Sequence, residues 1–266
     1  MRTIAELSNL SGQVALITGG AGHIGRTIAG GLAELGCTIC LLDLVDSEVG
    51  NVAREISQRW GVDVVPLHID LENPESRASV AAFLEQRFGR LDILINNAAF
   101  YTKEKLEGWV APMEEQNLDV LRRCMEVNLV AGFHLSQVTA NLLRKSEGRI
   151  INVGSIYGVL GPDMSLYAGT EMGNPAAYAM SKGGLVQLSR WMATVLAPDI
   201  RVNCICLGGV FRNQPDIFVE RYVARTPLGR MATEEDFIGA FAFLASNLSR
   251  YVTGQVLMVD GGWSIW

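Results

Sequence analysis

The sequence lacks any excess of positive charge. Its 266 residues include 22 Lys and Arg against 28 Asp and Glu, which gives a formal net charge of -6. An acidic chain of this kind has no broad basic surface for nucleic acid or for an anionic membrane. We therefore expect a small-molecule substrate, with neither nucleic acid nor a membrane as a partner.

Long apolar runs and a secretion signal are also missing. No apolar run reaches about 18 residues, the length that a membrane helix needs, and residues 1–11 lack the apolar block of a signal peptide. The five cysteines fall in apolar, strand-like or helical stretches. These features predict a cytoplasmic protein with reduced thiols in its core.

Metal-ligand spacing, repeats and linkers are absent as well. The histidines, His23, His68 and His134, are scattered, and no His-x-x-x-His pair or acid cluster stands at ligand spacing. We therefore predict no metal site. Because no low-complexity tract or Pro- and Ser-rich linker divides the chain, we expect one catalytic domain spanning residues 1–266.

What the sequence does contain is a regular alternation of short apolar runs and amphipathic segments. The runs predict strands that are buried on both faces, and the segments between them predict helices. This alternation predicts a Rossmann-type α/β fold, a doubly wound, mainly parallel seven-stranded sheet with helices on both faces. The predicted strands are residues 13–18, 38–42, 63–67, 91–95, 149–153, 201–206 and 255–259. The predicted helices are residues 24–35, 47–60, 74–88, 118–145, 176–196 and 234–245.

Three long irregular stretches each follow the carboxyl end of a predicted strand. They cover residues 98–116, 156–175 and 207–233. Open α/β sheets bind their ligands at that edge. We therefore expect these three stretches to form the substrate loops.

A glycine-rich turn, TGGAGHIG at residues 18–25, follows the first predicted strand and opens the first helix. Glycines there let backbone N–H groups approach a pyrophosphate at a helix N-terminus. Asp43 ends the second strand, where a carboxylate can accept hydrogen bonds from both ribose hydroxyls and repels a 2′-phosphate. Because Leu44 follows it rather than an arginine, we predict NAD(H) over NADP(H). The cofactor contacts predicted in this part of the chain are Gly19, Gly22, His23, Ile24, Gly25, Asp43, Leu44, Asp70 and Leu71; Asp70 is also placed to cap the next helix instead.

Tyr178 and Lys182 stand four residues apart in a predicted helix, which puts a phenol and an ammonium on one face. A cation about 5 Å from a phenol favours the phenolate by about 3 kcal/mol at an effective dielectric of about 20. Such a tyrosine can move protons near neutral pH. Tyr101 and Lys105 share the spacing, but they fall in a polar loop rather than in a helix behind a serine. We therefore predict Tyr178 and Lys182 as the reactive pair.

Several separate motifs resemble those of the short-chain dehydrogenase/reductase family over residues 12–262. Residues 96–99 read NNAA, close to the family's Asn-Asn-Ala-Gly element, and residues 260–262 match its Asp-Gly-Gly terminus. The resemblance implies Asn128, Ser155, Tyr178 and Lys182 as catalytic residues. It also implies cofactor contacts from Asn97, Ala98, Ala99, Tyr178, Lys182, Gly208 and Val210.

The same resemblance implies the role of each catalytic residue. Tyr178 exchanges a proton with the substrate oxygen, and Lys182 assists it and holds the nicotinamide ribose. Ser155 hydrogen-bonds the substrate oxygen, while Asn128 holds a water that links the lysine to solvent. As in many members of the family, we expect a homo-oligomer, a tetramer or a dimer. Trp263 and Trp266 then pack either on a second subunit or on their own chain.

The sequence departs from the family pattern at three places. His23 stands where the compact branch usually has glycine, so TGGAGHIG also fits the Thr-Gly-x-x-Gly-x-x-Gly spacing of sugar-nucleotide epimerases and dehydratases. Leu207 and Arg212 replace a proline and a threonine of the family. The segment between Ser155 and Tyr178 is about ten residues longer than is common in the family, and we expect it to set specificity.

The motifs GSIYG, NPAAY and GGVFRNQP also resemble elements of oxidoreductases of bacterial surface-sugar and flagellin-glycan biosynthesis. We therefore expect an NAD(H)-dependent oxidoreductase that acts on a secondary alcohol or ketone of a polyol- or sugar-like metabolite. The alternatives are an epimerase or dehydratase that retains its NAD, and a non-catalytic cofactor-sensing protein. The polar loop residues that favour a hydroxylated substrate are Tyr157, Asp163, Tyr167, Thr170, Glu171, Asn174, Arg212, Asn213 and Gln214.

Overall fold

The computed structural model of the protein describes residues 1–100 and 106–266, and its core is one parallel sheet. The strands are β1 Val14–Thr18, β2 Thr38–Asp43, β3 Val64–His68, β4 Ile93–Asn96, β5 Arg149–Ser155, β6 Arg201–Leu207 and β7 Val256–Val259. They lie in the order β3-β2-β1-β4-β5-β6-β7. The predicted Rossmann-type fold is confirmed, and each strand begins and ends within two residues of its expected bounds.

Helices cover both faces of the sheet. They are α1 Ile4–Ser8, α2 His23–Glu34, α3 Val49–Trp60, α4 Pro74–Phe88, α5 Leu118–Met125, α6 Ala131–Lys145, α7 Ala176–Val195, α8 Asp216–Ala224 and α9 Ile238–Ala245. Local chemistry sets several of their ends. Asn73 accepts a hydrogen bond from the Ser76 N–H at 2.9 Å, so α4 begins at Pro74 as predicted.

The residues of β1 alternate between two apolar cores. Ala15 and Ile17 face the core shared with α2, α3 and α9, whereas Val14 and Leu16 face the core shared with α4, α6 and α7. A strand that is covered on both sides must be apolar at every position, because successive side chains point to opposite faces. All five residues of β1 are buried.

Two helices differ from the expectation because their sequence signal is short. α8 lies within residues 207–233, which were expected to be irregular, and buries Phe218 and Tyr222 one turn apart. α1 has only five residues and is held by a capping box between Thr3 and Glu6. Helices of one or two turns show too few apolar repeats to reveal their period, and packing stabilises them instead.

Two of the predicted helices are not α-helical along their whole length, because each contains a turn with a different hydrogen-bonding pattern. The helix expected over residues 118–145 contains a π-helical turn, Glu126–Val130, in which the Ala131 N–H bonds the Glu126 carbonyl. The helix expected over residues 234–245 begins as a 3₁₀ turn, Glu234–Phe237. Apolar periodicity does not distinguish these variants over a single turn.

The strand order places the carboxyl ends of β1 and β4 side by side. The chain reverses its direction across the sheet at this point, which is where open α/β sheets bind ligands. The TGGAGHIG and NNAA segments therefore flank one crevice. The carboxyl ends of β5 and β6 continue the same edge.

The described residues add two simple observations about the surroundings of the sheet. None of the helices in this part of the chain is long and apolar enough to cross a membrane. All five cysteines are buried and unpaired. Burial raises the pKa of the Cys37 and Cys40 thiols to about 12.

The packing of α2 against α9 predicts opposite effects for two adjacent glycines. A Cβ on Gly31 would lie 2.7 Å from Ile238 Cγ2, whereas a Cβ on Gly30 would be 3.9 Å from its nearest neighbour, Trp60 Nε1. We expect Gly31→Ala to lower the free energy of unfolding by about 1–3 kcal/mol through overpacking. Gly30→Ala should raise it by about 0.5–1 kcal/mol. Urea denaturation measures both, and equal effects would contradict this helix contact.

Candidate active site

The glycine-rich loop after β1 folds tightly onto its own backbone. Gly19 has a φ of 65°, in the left-handed region, and a Cβ on Gly25 would overlap the Gly19 carbonyl oxygen. Only glycine at position 25 lets α2 begin this close to the strand. Gly22 is the N-cap of α2, and no side chain bonds the helix end there. The first backbone N–H groups of α2 therefore remain available to an anion, as a dinucleotide requires.

Asp43 lies at the end of β2 with its carboxylate turned to the glycine-rich loop. Its Oδ2 accepts from the Ala21 N–H and its Oδ1 accepts from the Leu44 N–H, both at 2.8 Å. These bonds fix the carboxylate, and the remaining lone pairs can accept from ribose hydroxyls. Of the neighbouring predicted contacts, His23 is exposed at the start of α2 and Ile24 packs on the core.

Asp70 and Leu71, which follow Ile69 after the end of β3, offer less to a cofactor than the sequence suggested. Asp70 is exposed, and its Oδ1 accepts from the Glu72 N–H at 2.8 Å. Asn73 caps α4, so the alternative of Asp70 as that cap is wrong. The side chain of Leu71 packs in the core, which leaves its backbone as the group for a cofactor contact.

Thr18 joins the loop after β1 to the loop after β4, a role that the sequence analysis missed. Its Oγ1 accepts from the N–H groups of Asn97 at 3.0 Å and Ala98 at 2.9 Å. Asn97 Nδ2 donates to the Thr18 carbonyl at 2.8 Å. The two sides of the crevice are thus one hydrogen-bonded unit, and Ala99 lies exposed at its end. The signal in the sequence was the threonine that opens the glycine motif.

Lys182, Tyr178 and Ser155 come together where α7 lies against the end of β5. Lys182 is 3% exposed, and its Nζ donates to the Val153 carbonyl at 2.8 Å and lies 5.8 Å from the centre of the Tyr178 ring. The Ser155 Oγ accepts from the Tyr157 N–H at 3.2 Å. No residue in the described ranges accepts the Ser155 hydroxyl hydrogen or bonds the Tyr178 hydroxyl. Both hydroxyls are therefore available to a substrate.

Asn128 lies in the π-helical turn, and its side chain is engaged by protein groups. Its Oδ1 accepts from the Phe100 N–H, and its Nδ2 donates to Ser181 Oγ at 3.0 Å. Ser181 in turn donates to the Tyr178 carbonyl at 2.9 Å. The side chain of Asn128 thus braces the backbone of α7 through Ser181.

The segment after β6 completes the edge. The Gly208 N–H donates to the Val259 carbonyl at 3.0 Å, and Val210 forms a parallel bridge with Ala232. Arg212, which replaces a threonine of the family pattern, pairs with Glu234 at 2.9 Å. Gly208 and Val210 are therefore held beside the end of β5, while the charge of Arg212 is neutralised within the chain.

A family comparison agrees with this geometry. Residues 19–264 match the sequence model of a family described as Enoyl-(Acyl carrier protein) reductase. The chain belongs to the short-chain dehydrogenase/reductase family. The resemblance noted in the sequence is thereby confirmed, and so is the expectation of an NAD(P)-dependent oxidoreductase acting on CH–OH groups.

Curated relatives match over almost the whole chain. The chain is 30% identical to the Post-translational flagellin modification protein A of Campylobacter coli, over 96% of the chain and 100% of that protein. It is 34% identical to a 3-oxoacyl-[acyl-carrier-protein] reductase of Vibrio cholerae, over 96% of the chain and 98% of that protein. It spans only 44% of an uncharacterized short-chain type dehydrogenase/reductase of Sinorhizobium fredii, with 32% identity.

Solved structures of the family carry either form of the cofactor. A short chain dehydrogenase of Leptospira borgpetersenii with bound NAD⁺ has a TM-score of 0.84 and 33% identity, covering 99% of this chain and 96% of that one. A putative NAD(P) dependent gluconate 5-dehydrogenase of Beutenbergia cavernae with bound NADP has a TM-score of 0.85 and 34% identity, covering 97% and 99%. Neither alternative function, the epimerase or dehydratase and the cofactor sensor, finds support among these proteins.

Several of the polar side chains that were expected to line the substrate site bond other groups of the protein instead. Asp163 pairs with Arg225. Thr170 Oγ1 donates to the Tyr167 carbonyl at 2.8 Å, and Gln214 bonds the backbone on either side of its own turn. Within the described ranges, the buried Asn174 Oδ1 and Trp263 Nε1 have no hydrogen-bond partner. Tyr101 and Lys105, the rejected pair, lie outside the described residues.

The terminal tryptophans contact their own chain. Trp263 is 4% exposed and stacks on Tyr222 with the ring centres 5.8 Å apart. Trp266 is largely exposed, and its Nε1 donates to the Arg225 carbonyl at 3.2 Å. Of the two alternatives for Trp263, packing on its own chain is the one that the structure shows, because Tyr222 and its neighbours enclose the ring.

Proposed function

We propose that the chain is an NAD(H)-dependent oxidoreductase that transfers hydride between nicotinamide and a secondary alcohol or ketone of a polyol- or sugar-like metabolite. Residues 1–266 would act as one catalytic domain. The observation that carries the proposal is the buried Lys182 ammonium beside the unbonded Tyr178 hydroxyl at the end of β5. A proton donor, a fixed cation and a free serine hydroxyl in one place suit the interconversion of alcohol and ketone.

In this proposal, the four predicted residues divide the proton chemistry. Tyr178 donates its proton to the carbonyl oxygen during reduction and takes it back during oxidation. The Ser155 hydroxyl donates a hydrogen bond to the same oxygen as negative charge develops there. The Lys182 ammonium stabilises negative charge on the phenol oxygen, and Asn128 holds α7 in position through Ser181.

The predicted cofactor residues would hold the dinucleotide along the edge of the sheet. The N-terminus of α2 would receive the pyrophosphate, and Asp43 the adenosine ribose. The backbone of residues 97–99, with Gly208 and Val210, would enclose the nicotinamide half, which supplies or accepts the hydride when bound. The glycine-only positions of the loop support this fit, since side chains there would fill the space next to the helix end.

The carboxylate of Asp43 supports the preference for NAD(H). It lies beside the loop and is followed by Leu44, which is 47% exposed and carries no charge. A 2′-phosphate would meet one negative charge and no positive partner from residue 44. Relatives with NAD⁺ and with NADP are both known, so this choice rests on the residues of this chain.

Two kinds of evidence support a hydroxylated substrate. The relatives of the chain include a flagellin modification protein and gluconate 5-dehydrogenases. Beside the turn that follows β5, Tyr157, Tyr167, Tyr222 and Trp263 form a cluster that combines aromatic rings with phenol hydroxyls. The similarity to 3-oxoacyl-[acyl-carrier-protein] reductases favours a 3-oxoacyl thioester as the second candidate substrate.

We also propose a homo-oligomer. Phe133 of α6 and Trp191 of α7 contact each other with ring centres 6.4 Å apart, yet they are 36% and 51% exposed. Val195 at the end of α7 extends this face and is 49% exposed. An apolar patch of this kind on two neighbouring helices suits contact with a second copy of the chain.

For the cofactor, Asp43→Ala should raise the dissociation constant of NADH by about tenfold or more, which corresponds to about 1.4 kcal/mol. The affinity for NADPH should fall less than the affinity for NADH, because the substitution also removes the repulsion between the carboxylate and the 2′-phosphate. Fluorescence titration of both cofactors gives the ratio, and Asp46→Ala, an exposed acid three residues on, is the control. An equal loss for the two cofactors would contradict the ribose contact.

For the reaction, NADH absorbance during a screen of polyols, sugars, sugar nucleotides, hydroxy acids and acetoacetyl-CoA tests the proposed chemistry directly. Tyr178→Phe should bind NADH normally and lower kcat by about 100-fold or more, because general acid–base catalysis is lost. Tyr251→Phe, at a fully exposed ring, is the control. Turnover without net change in NADH would contradict the proposed reaction, and activity confined to acetoacetyl-CoA would favour the thioester candidate.

For the assembly, sedimentation analysis should give a mass of two or four chains. Trp191→Glu places a charge in the apolar face and should lower that mass. Tyr251→Glu, on another exposed ring, should not. A parent protein that sediments as one chain would refute the homo-oligomer.

A further inference from the structure

The hydroxyl of Tyr157 has an unused hydrogen-bond donor. Tyr167 Oη donates to Tyr157 Oη at 3.0 Å. Each phenol carries one hydroxyl hydrogen, so this bond occupies the hydrogen of Tyr167 and leaves that of Tyr157. Across residues 1–100 and 106–266, no group accepts it. Tyr157 is therefore a half-buried donor whose acceptor is not part of the described protein.

The backbone of Tyr157 lies against both Ser155 and the turn of α7 that carries Lys182. Its N–H donates to Ser155 Oγ at 3.2 Å. It belongs to the 3₁₀ turn Ile156–Gly158, where a Cβ on Gly158 would lie 2.7 Å from the Lys182 carbonyl oxygen. Such an approach requires glycine, because the clash would be with helix backbone. The turn that carries Tyr157 is thus pressed against the helix turn that carries Lys182.

The ring of Tyr157 extends along the wall formed by α8 and the C-terminal segment. It meets Trp263 edge to face, with ring centres 6.1 Å apart and planes at 86°. Trp263 stacks in turn on Tyr222 of α8. The ring of Tyr157 therefore belongs to this wall, while its backbone is bonded to Ser155 Oγ.

The extended segment after β5 holds Tyr167 rigidly. Arg221 Nη1 of α8 donates to three carbonyls around it, those of Ser165 at 3.2 Å, Leu166 at 3.4 Å and Ala168 at 2.6 Å. Tyr167 itself is 9% exposed and packs on Phe218 of α8. A hydroxyl held in this way can orient Tyr157 before a ligand arrives, which reduces the entropy lost on binding.

Asp163 fixes the start of the same turn. Its Oδ1 accepts from the Ser165 N–H at 3.0 Å, while its Oδ2 pairs with Arg225, the residue that follows α8. The 3₁₀ turn Met164–Tyr167 is thereby tied to α8 at both ends. The polar residues of this segment hold the segment in place, and through Tyr167 they orient the hydroxyl of Tyr157.

Tyr157 is also a permanent donor. Its burial and the nearby phenols of Tyr222 and Tyr178 raise its pKa above its usual range. The phenol therefore keeps its hydrogen throughout the neutral and mildly alkaline pH range.

We propose that Tyr157 is a specificity-determining residue that donates a hydrogen bond to a substrate hydroxyl on the carbon next to the reacting carbonyl. The site then selects α-hydroxy ketones and vicinal diols over the corresponding simple ketones and alcohols. A fixed donor loses its partner when the hydroxyl is missing, and this loss disfavours the simpler substrate. The inference rests on the proposed oxidoreductase function and names its substrate class.

A matched pair of ketones tests the inference. The parent enzyme with NADH should reduce 2-hydroxycyclohexanone with a kcat/KM about tenfold or more above that of cyclohexanone. Tyr157→Phe should lower this ratio by about tenfold, mainly through the KM of the hydroxy ketone. Tyr167→Phe should lower it in the same direction by a smaller factor. NADH titration of each variant reports whether the cofactor site remains folded.

Tyr222→Phe is the control within the same wall. Its hydroxyl accepts from the Gly209 N–H rather than facing a substrate, so its removal should change both ketones alike. Equal losses for the two ketones in Tyr157→Phe would overturn the inference and leave the proposed function intact. Failure of the parent enzyme to oxidise NADH with either ketone would overturn both.

Discussion

The contact between Lys182 and the end of β5 is the constraint on which the rest of the site depends. A nearly buried ammonium is costly unless its protons are bonded, and the Val153 carbonyl takes one of them at 2.8 Å. This bond fixes α7 along the strand, which sets the position of Tyr178 one turn earlier. It also explains why the turn after Ser155 needs glycine at position 158, since α7 leaves no room for a side chain there.

The other half of the site depends on a hydroxyl rather than a charge. Thr18 bonds the loop after β4, so the dinucleotide crevice is a single structure instead of two independent loops. Asn128 extends the connection, because it bonds Phe100 on one side and Ser181 of α7 on the other. The cofactor side and the proton-transfer side are therefore joined through Asn128, which gives this residue a mechanical role beyond that implied by its family motif.

The sequence alone predicts the features that depend on the spacing of apolar residues and on local chemistry. Two-sided burial made β1 and its neighbours readable as apolar runs, and Tyr178 and Lys182 followed from helical spacing and context. It was insufficient where a long-range contact decides the outcome. α8 is stabilised by packing of Phe218 and Tyr222 against the extended segment, Leu71 is drawn into the core, and Trp263 is enclosed by Tyr222. Those contacts join residues that are far apart in the chain, so no local pattern contains them.

The extended segment before Tyr178 was expected to set specificity because of its extra length, and its polar residues were expected to favour a hydroxylated substrate. Much of that polarity has a different use. Three backbone carbonyls of the segment bond Arg221 of α8, and Asp163 bonds Arg225 at the end of that helix, which makes the segment and the helix one rigid wall. A wall whose polar groups satisfy each other discriminates only through the groups that it leaves unbonded. Selectivity then depends on few atoms, and changes elsewhere in the segment alter stability before they alter the choice of substrate. Extra residues in an active-site loop can therefore serve chiefly to fix the position of one hydroxyl.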